Sequence, residues 1–143
     1  MTTEATRSIL PLLAFLLPLL GAMATVPLQR ASGRARNLVL AAITLAVAAI
    51  AIVLAAGVTR GAEYETFLVQ LTPDIWLYLR VDAMGALFGA TAAVLWVLAL
   101  FYSWGYMADG HRLGRYYSFF ILCLSWTMGV AYAGNLLTFL VFY

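Results

Sequence analysis

Lysine is absent from this 143-residue chain and charge is scarce: eight arginines and six acids amount to 10% of positions, leaving a formal net charge of +2. No basic stripe is on offer to a phosphate backbone, so nucleic acid is excluded as a partner. Cys123 is the single cysteine, which excludes a disulfide framework and a cysteine-rich metal site; alone in an apolar segment, it reads as a small core hydrophobe. His111, the single histidine, sits beside Gly110 in a polar loop. Its pKa range would let it feed protons to a cytoplasmic mouth, but a solvated loop residue is the simpler account. No Gly-rich phosphate loop runs into a lysine, and no Ser/His/Asp set or metal-ligand cluster is present. The chain alone is therefore expected to have no catalytic residue, no cofactor and no resident metal.

What is there is apolar. Hydrophobic residues fill 65% of positions, against roughly 45–50% in soluble domains. A soluble domain of this size could not hide that much apolar surface in one core, so a membrane protein is expected. Long apolar runs fall at about 8–28, 37–59, 82–107 and 116–134, each near or above spanning length. A fifth, 135–143, is still apolar at Tyr143 and as a helix would reach only about 14 Å into a hydrocarbon core roughly 30 Å thick. The expected fold class is an all-α polytopic membrane protein with four complete transmembrane helices, an incomplete fifth, and all of residues 1–143 in one membrane domain.

The first run has a rival reading. Arg7, an apolar stretch and Ala22-Met23-Ala24 imitate a signal peptide with its cleavage site. Glu4 offsets Arg7, however, and Pro11, Pro18 and Pro27 punctuate the stretch. A retained helix also places "QRASGRARN" on the cytoplasmic side. Arg30, Arg34, Arg36, Arg112 and Arg115 then share that side, against Arg7, Arg60 and Arg80 on the other, which sets the N-terminus outside a bacterial inner membrane.

The segment "EYETFLVQLTPDIWLYLRVD" differs in kind. Ile75, Leu77, Leu79 and Val81 alternate with Trp76, Tyr78 and Arg80, and Thr72-Pro73-Asp74 is a turn candidate, so a short external β-hairpin is expected at about 63–81. The alternative is an amphipathic segment lying at the interface. Small residues line two helix faces, Ala42, Ala46, Ala49 and Ala56 on one and Gly85, Gly89 and Ala93 on the next, as packing surfaces for close helix approach. Trp104, Tyr106, Tyr116 and Tyr117 read as an interfacial aromatic belt, since a quinone pocket would need polar groups that are not beside them.

No Asp, Glu, Lys, Arg or His lies within 37–59, 83–107 or 116–143, so no buried proton carrier is in the chain. At the rims, Asp82 reads as the cap of the third helix, with Arg80 as its partner or a neighbouring subunit's. Arg112 and Arg115 read as topology anchors. Asn135 after Gly134 reads as the cap of the fifth helix, and Thr138 can satisfy backbone or water one turn later.

From Tyr78 onward, "RVDAMGALF", "YSWGYM" and "RYYSFFILCLSWTMGVAYAGNLLTFLVFY" together resemble the N-terminal region of the antiporter-like subunits shared by respiratory complex I, Mrp-type cation/proton antiporters and membrane-bound hydrogenases, with the Mrp D subunit the nearest in flavour. That resemblance implies a large fold of inverted repeats with a polar Glu/Lys chain across the membrane, and partners in other membrane subunits, lipid, protons and Na⁺. The family's essential Glu follows an aromatic at the place of Tyr143 and has no counterpart here. Asp82, Arg115, Asn135 and Thr138 carry over only as structural or water-network positions. The chain is thus expected to be an N-terminal fragment of a proton-conducting subunit; the alternative is a small scaffold that moves no ion.

Overall fold

The computed structural model describes residues 6–28, 33–73, 75–107 and 112–143. Glu4, Arg30, Asp74, Gly110 and His111, each weighed above, lie outside the described residues. In chain order the elements are β1 (Thr6–Arg7), α1 (Leu10–Leu28), α2 (Gly33–Val58), β2 (Tyr64–Thr72), β3 (Ile75–Val81), α3 (Ala83–Tyr106), α4 (Leu113–Ala131) and α5 (Leu136–Phe142).

α1 packs against α4 and α2, and α3 packs against α2 and α4. Among the described residues, polar ties cross between helices, the three shortest as follows. The Ser125 hydroxyl donates to the Phe15 carbonyl at 2.7 Å, the Thr25 and Ser118 hydroxyls meet at 2.6 Å, and Trp96 Nε1 donates to the Phe120 carbonyl at 3.0 Å. Such bonds hold helices together where lipid tails compete equally for apolar side chains, each contributing about 0.6–1.7 kcal/mol. One apolar core, built around Leu54, Leu79, Leu124 and Met128, lies at the hairpin end, and a second, around Leu40, Leu100, Tyr117 and Ile121, lies nearer the other.

The hairpin runs antiparallel from Tyr64 opposite Val81 to Thr72 opposite Ile75, with register shifts between Phe67 and Val69 and between Gln70 and Thr72. Leu79 and Val81 are buried while Tyr78 and Arg80 are not, as the period of two requires. A third strand was not foreseen: β1 pairs in parallel with β2, Thr6 opposite Tyr64 and Arg7 opposite Glu65, and the Thr66 hydroxyl donates to the Ser8 carbonyl beside it.

The structure corrects four sequence expectations. Four complete transmembrane helices are not found: among the described residues two helices, Gly33–Val58 and Ala83–Tyr106, are long and apolar enough to cross a membrane. α4 falls short because Arg115, Tyr116, Ser118, Ser125 and Thr127 thin its apolar content, and it stops at Ala131 instead of 134. In α1 the apolar stretch among the described residues is the shorter Leu10–Thr25. Second, the packed face of α2 is Leu40, Thr44, Val47, Ala48, Ala51 and Leu54, whereas Ala42, Ala49 and Ala56 are exposed; branched side chains fill the groove that the alanines were expected to line. Third, Tyr117 is core, 2% exposed, because α4 turns it toward α3 with the Arg36 guanidinium 5.0 Å above its ring. Fourth, Cys123 is exposed, on the open side of α4. Gly85, Gly89 and Ala93 do lie on the buried face of α3.

Candidate functional site

The sequence-predicted positions fall into two places. Asp82, Asn135 and Thr138 gather at the hairpin end, whereas Arg115 sits in the first turn of α4 at its far end, exposed and with no ion pair among the described residues. Arg115 therefore shares no site with the other three.

Asp82 is extended (φ −97°, ψ −174°), its carboxylate accepts from the Gly85 N–H at 2.7 Å, and its carbonyl accepts from the Ala86 N–H at 2.8 Å. The carboxylate satisfies one of the free donors of the first turn and puts negative charge at the positive helix end, and the carbonyl takes the first intrahelical bond. Asp82→Ala is expected to lower stability by about 1 kcal/mol, while Asp82→Asn, which keeps the acceptor, should lose only part of that. Thermal unfolding of both variants in detergent checks the order; equal losses would show that Asp82 acts by charge alone.

Arg80 does not pair with Asp82. It bonds Glu63 at 2.7 Å and approaches Glu65 at 3.7 Å, because β-pairing puts Arg80 opposite Glu65 on one face of the hairpin. The hydrogen bond to Glu63 raises the Arg80 pKa above its ordinary value, against the smaller lowering from burial. The guanidinium stays charged at any pH the protein meets. With both partners 40% and 32% exposed, the pair fixes geometry more than it stabilises.

The connection between α4 and α5, Tyr132 to Asn135, runs along the free edge of β3 as an added strand. The Arg80 N–H donates to the Tyr132 carbonyl at 2.7 Å, Leu79 bridges to Ala133, and the Gly134 N–H donates to the Tyr78 carbonyl at 2.9 Å. Gly134 is required here because the Tyr78 ring occupies the space a Cβ would fill. Asn135 then serves both sides of the junction. Its Oδ1 accepts from the Thr138 N–H at 2.7 Å to cap α5, and its Nδ2 donates to the Trp76 carbonyl at 2.7 Å. Thr138, fully buried, returns a bond to the same strand by accepting from the Tyr78 N–H at 3.2 Å. Sequence reasoning read Asn135 as the cap and Thr138 as satisfying backbone or water, and missed their partners Trp76 and Tyr78. A strand with an unpaired edge next to a Gly-Asn turn was the signal available.

Asn135 and Thr138 are spent on backbone, the buried Tyr132 hydroxyl has no partner among the described residues, and no cluster of metal-ligating residues exists among them. The arrangement holds elements in register.

The fold itself is not new. It matches a chain in the structure of the membrane-bound sulfane sulfur reductase, an archaeal respiratory membrane complex, with a TM-score of 0.79 and 23% identity over 94% of this chain. This chain spans only 28% of that one's length. No family model matches the sequence, and no curated protein matches it. An open cleft of about 620 Å³ lies between α4 and α5, lined by Cys123, Trp126, Val130, Val141 and Tyr143. Its lining is mostly apolar and includes Thr127.

Proposed function

We propose that this chain is the N-terminal part of a proton-translocating subunit of a membrane complex, of the kind shared by respiratory chains and Mrp-type antiporters, with Na⁺ as the ion exchanged in the Mrp case. The observation that carries the reading is that the fold matches 28% of a much longer chain from a respiratory membrane complex, over 94% of this one. The motifs quoted from Arg80 to Tyr143 support the same assignment. So does the low burial of the two long apolar helices: 33% of the apolar stretch in α2 and 28% of that in α3 lie inside the chain, where the core helix of a soluble protein would be mostly covered. The arginine excess on the loops away from the hairpin supports reading the hairpin as lying on the outer face of a bacterial inner membrane.

Within such a subunit these residues pack and position. The long apolar stretches hold no Asp, Glu, Lys, Arg or His, and the Asn135 and Thr138 side chains are consumed by backbone. The same observation favours a second reading, a scaffold that moves no ion. One experiment separates them. The tagged chain is isolated from its host's membranes, its companions are identified, and proton/Na⁺ exchange is measured in everted vesicles with and without it. Recovery with antiporter-like subunits and loss of exchange on deletion supports the proposal. Recovery with partners and unchanged exchange leaves the scaffold; a chain recovered from the soluble fraction overturns both.

A further inference from the structure

We infer that the outer hairpin and α5 are one mechanical unit, locked by the added strand 132–135, so that the position of α5 is set by β3 and any displacement of the hairpin is passed to α5. The inference goes beyond the proposed function and does not depend on which ion, if any, is moved.

The two halves of the lock differ in kind, which is what makes it a lock and not a cap alone. The backbone half is the ladder from Arg80 to Tyr132 and from Gly134 to Tyr78. Because alternate residues of a strand bond to opposite neighbours, Tyr78 and Arg80 turn their backbone groups to the added strand while Leu77 and Leu79 face β2. The side-chain half starts where the ladder ends: Asn135 reaches back to Trp76, and Thr138, one turn into α5, takes the Tyr78 N–H. Tyr78 is the hinge pin. Its carbonyl, its N–H and its ring contact Gly134 or Thr138, so α5 cannot slide along its axis without breaking bonds to one residue of the hairpin. On its other side α5 is seated by Phe142, whose ring lies 4.9 Å from that of Phe15 and against Gly129.

Coupling of this sort is reciprocal: loosening α5 must loosen Tyr78, and loosening the hairpin edge must loosen α5. The test is hydrogen exchange of the full chain in nanodiscs. Asn135→Asp keeps the cap acceptor and deletes the donor to Trp76; Thr138→Val keeps shape and deletes the acceptor for Tyr78. The double variant is expected to speed exchange at the Tyr78 and Arg80 amides and throughout 136–142, about fivefold for each bond removed, with α1 to α4 unchanged. Thr66→Val, which cuts the tie on the opposite edge of the hairpin, should leave α5 untouched. The inference is overturned if faster exchange stays within 135–138, if it rises equally across the chain, or if Thr66→Val loosens α5 as much as the double variant does.

Discussion

Gly85→Val is expected to abolish the native packing of α3, lowering stability by about 3 kcal/mol, the upper end of what overpacking costs. The reason is what a side chain would meet. A Cβ at Gly85 would lie 2.7 Å from the carbonyl oxygen of Ala131, 3.3 Å from the Asp82 carboxylate and 3.6 Å from the Arg80 carbonyl. The first of these is backbone at the last turn of α4, held in turn by the Tyr132 to Arg80 bond, and has no rotamer to change. Even Gly85→Ala should cost about 1–2 kcal/mol, despite the roughly 1 kcal/mol that alanine gains over glycine inside a helix. Gly105 in the same helix provides the contrast: nothing lies within 4 Å of its missing Cβ, so Gly105→Ala should be neutral or stabilise by up to about 1 kcal/mol. Unfolding midpoints in detergent for the three variants check the ranking. If Gly85→Ala and Gly105→Ala move the midpoint alike, the close approach of α3 and α4 is not a determinant of stability.

That contrast shows where sequence was informative. Gly85, Gly89 and Ala93 at intervals of four announced a packing face because spacing alone puts them on one side of a helix. The alanines of α2 obeyed similar spacing and failed, since a helix with apolar residues all round does not declare which stripe is buried. The hairpin was legible from the alternation around Tyr78, and Asp82 and Asn135 from their places before apolar runs. Hydropathy misjudged α4 as a complete span because the run read at 116–134 differs from the helix that forms: α4 takes in Arg115 at its start and ends at Ala131, when Tyr132 to Asn135 turn to pair with β3. That pairing joins residues more than 50 positions apart in the sequence, and no local pattern encodes it. The Arg80 partner was misassigned for the same reason. Asp82 is its near neighbour in sequence, but cross-strand register gives Arg80 to Glu63 and Glu65.

Tyr132→Ala should cost about 3–5 kcal/mol, whereas Tyr132→Phe should cost nothing or stabilise by about 1 kcal/mol. Tyr132 is fully buried at the end of α4, and its ring lies over Gly89, whose missing Cβ would sit 2.5 Å from the ring and from its hydroxyl. The hydroxyl has no hydrogen-bond partner among the described residues, so the ring contributes by filling space and the oxygen contributes only its desolvation cost. Truncation to alanine leaves a hole between α3 and α4 beside the added strand, where neither backbone can close it. Phenylalanine keeps the shape and drops the unpaired group. Gly89→Ala in the wild-type background collides with the ring, yet with Tyr132→Ala the new methyl enters the vacated space. The double variant should therefore be more stable than the sum of the single losses, with a coupling of about 1–2 kcal/mol. Strict additivity would show that Gly89 is small for some reason other than the ring, and a large loss in Tyr132→Phe would show that the hydroxyl is bonded in the membrane.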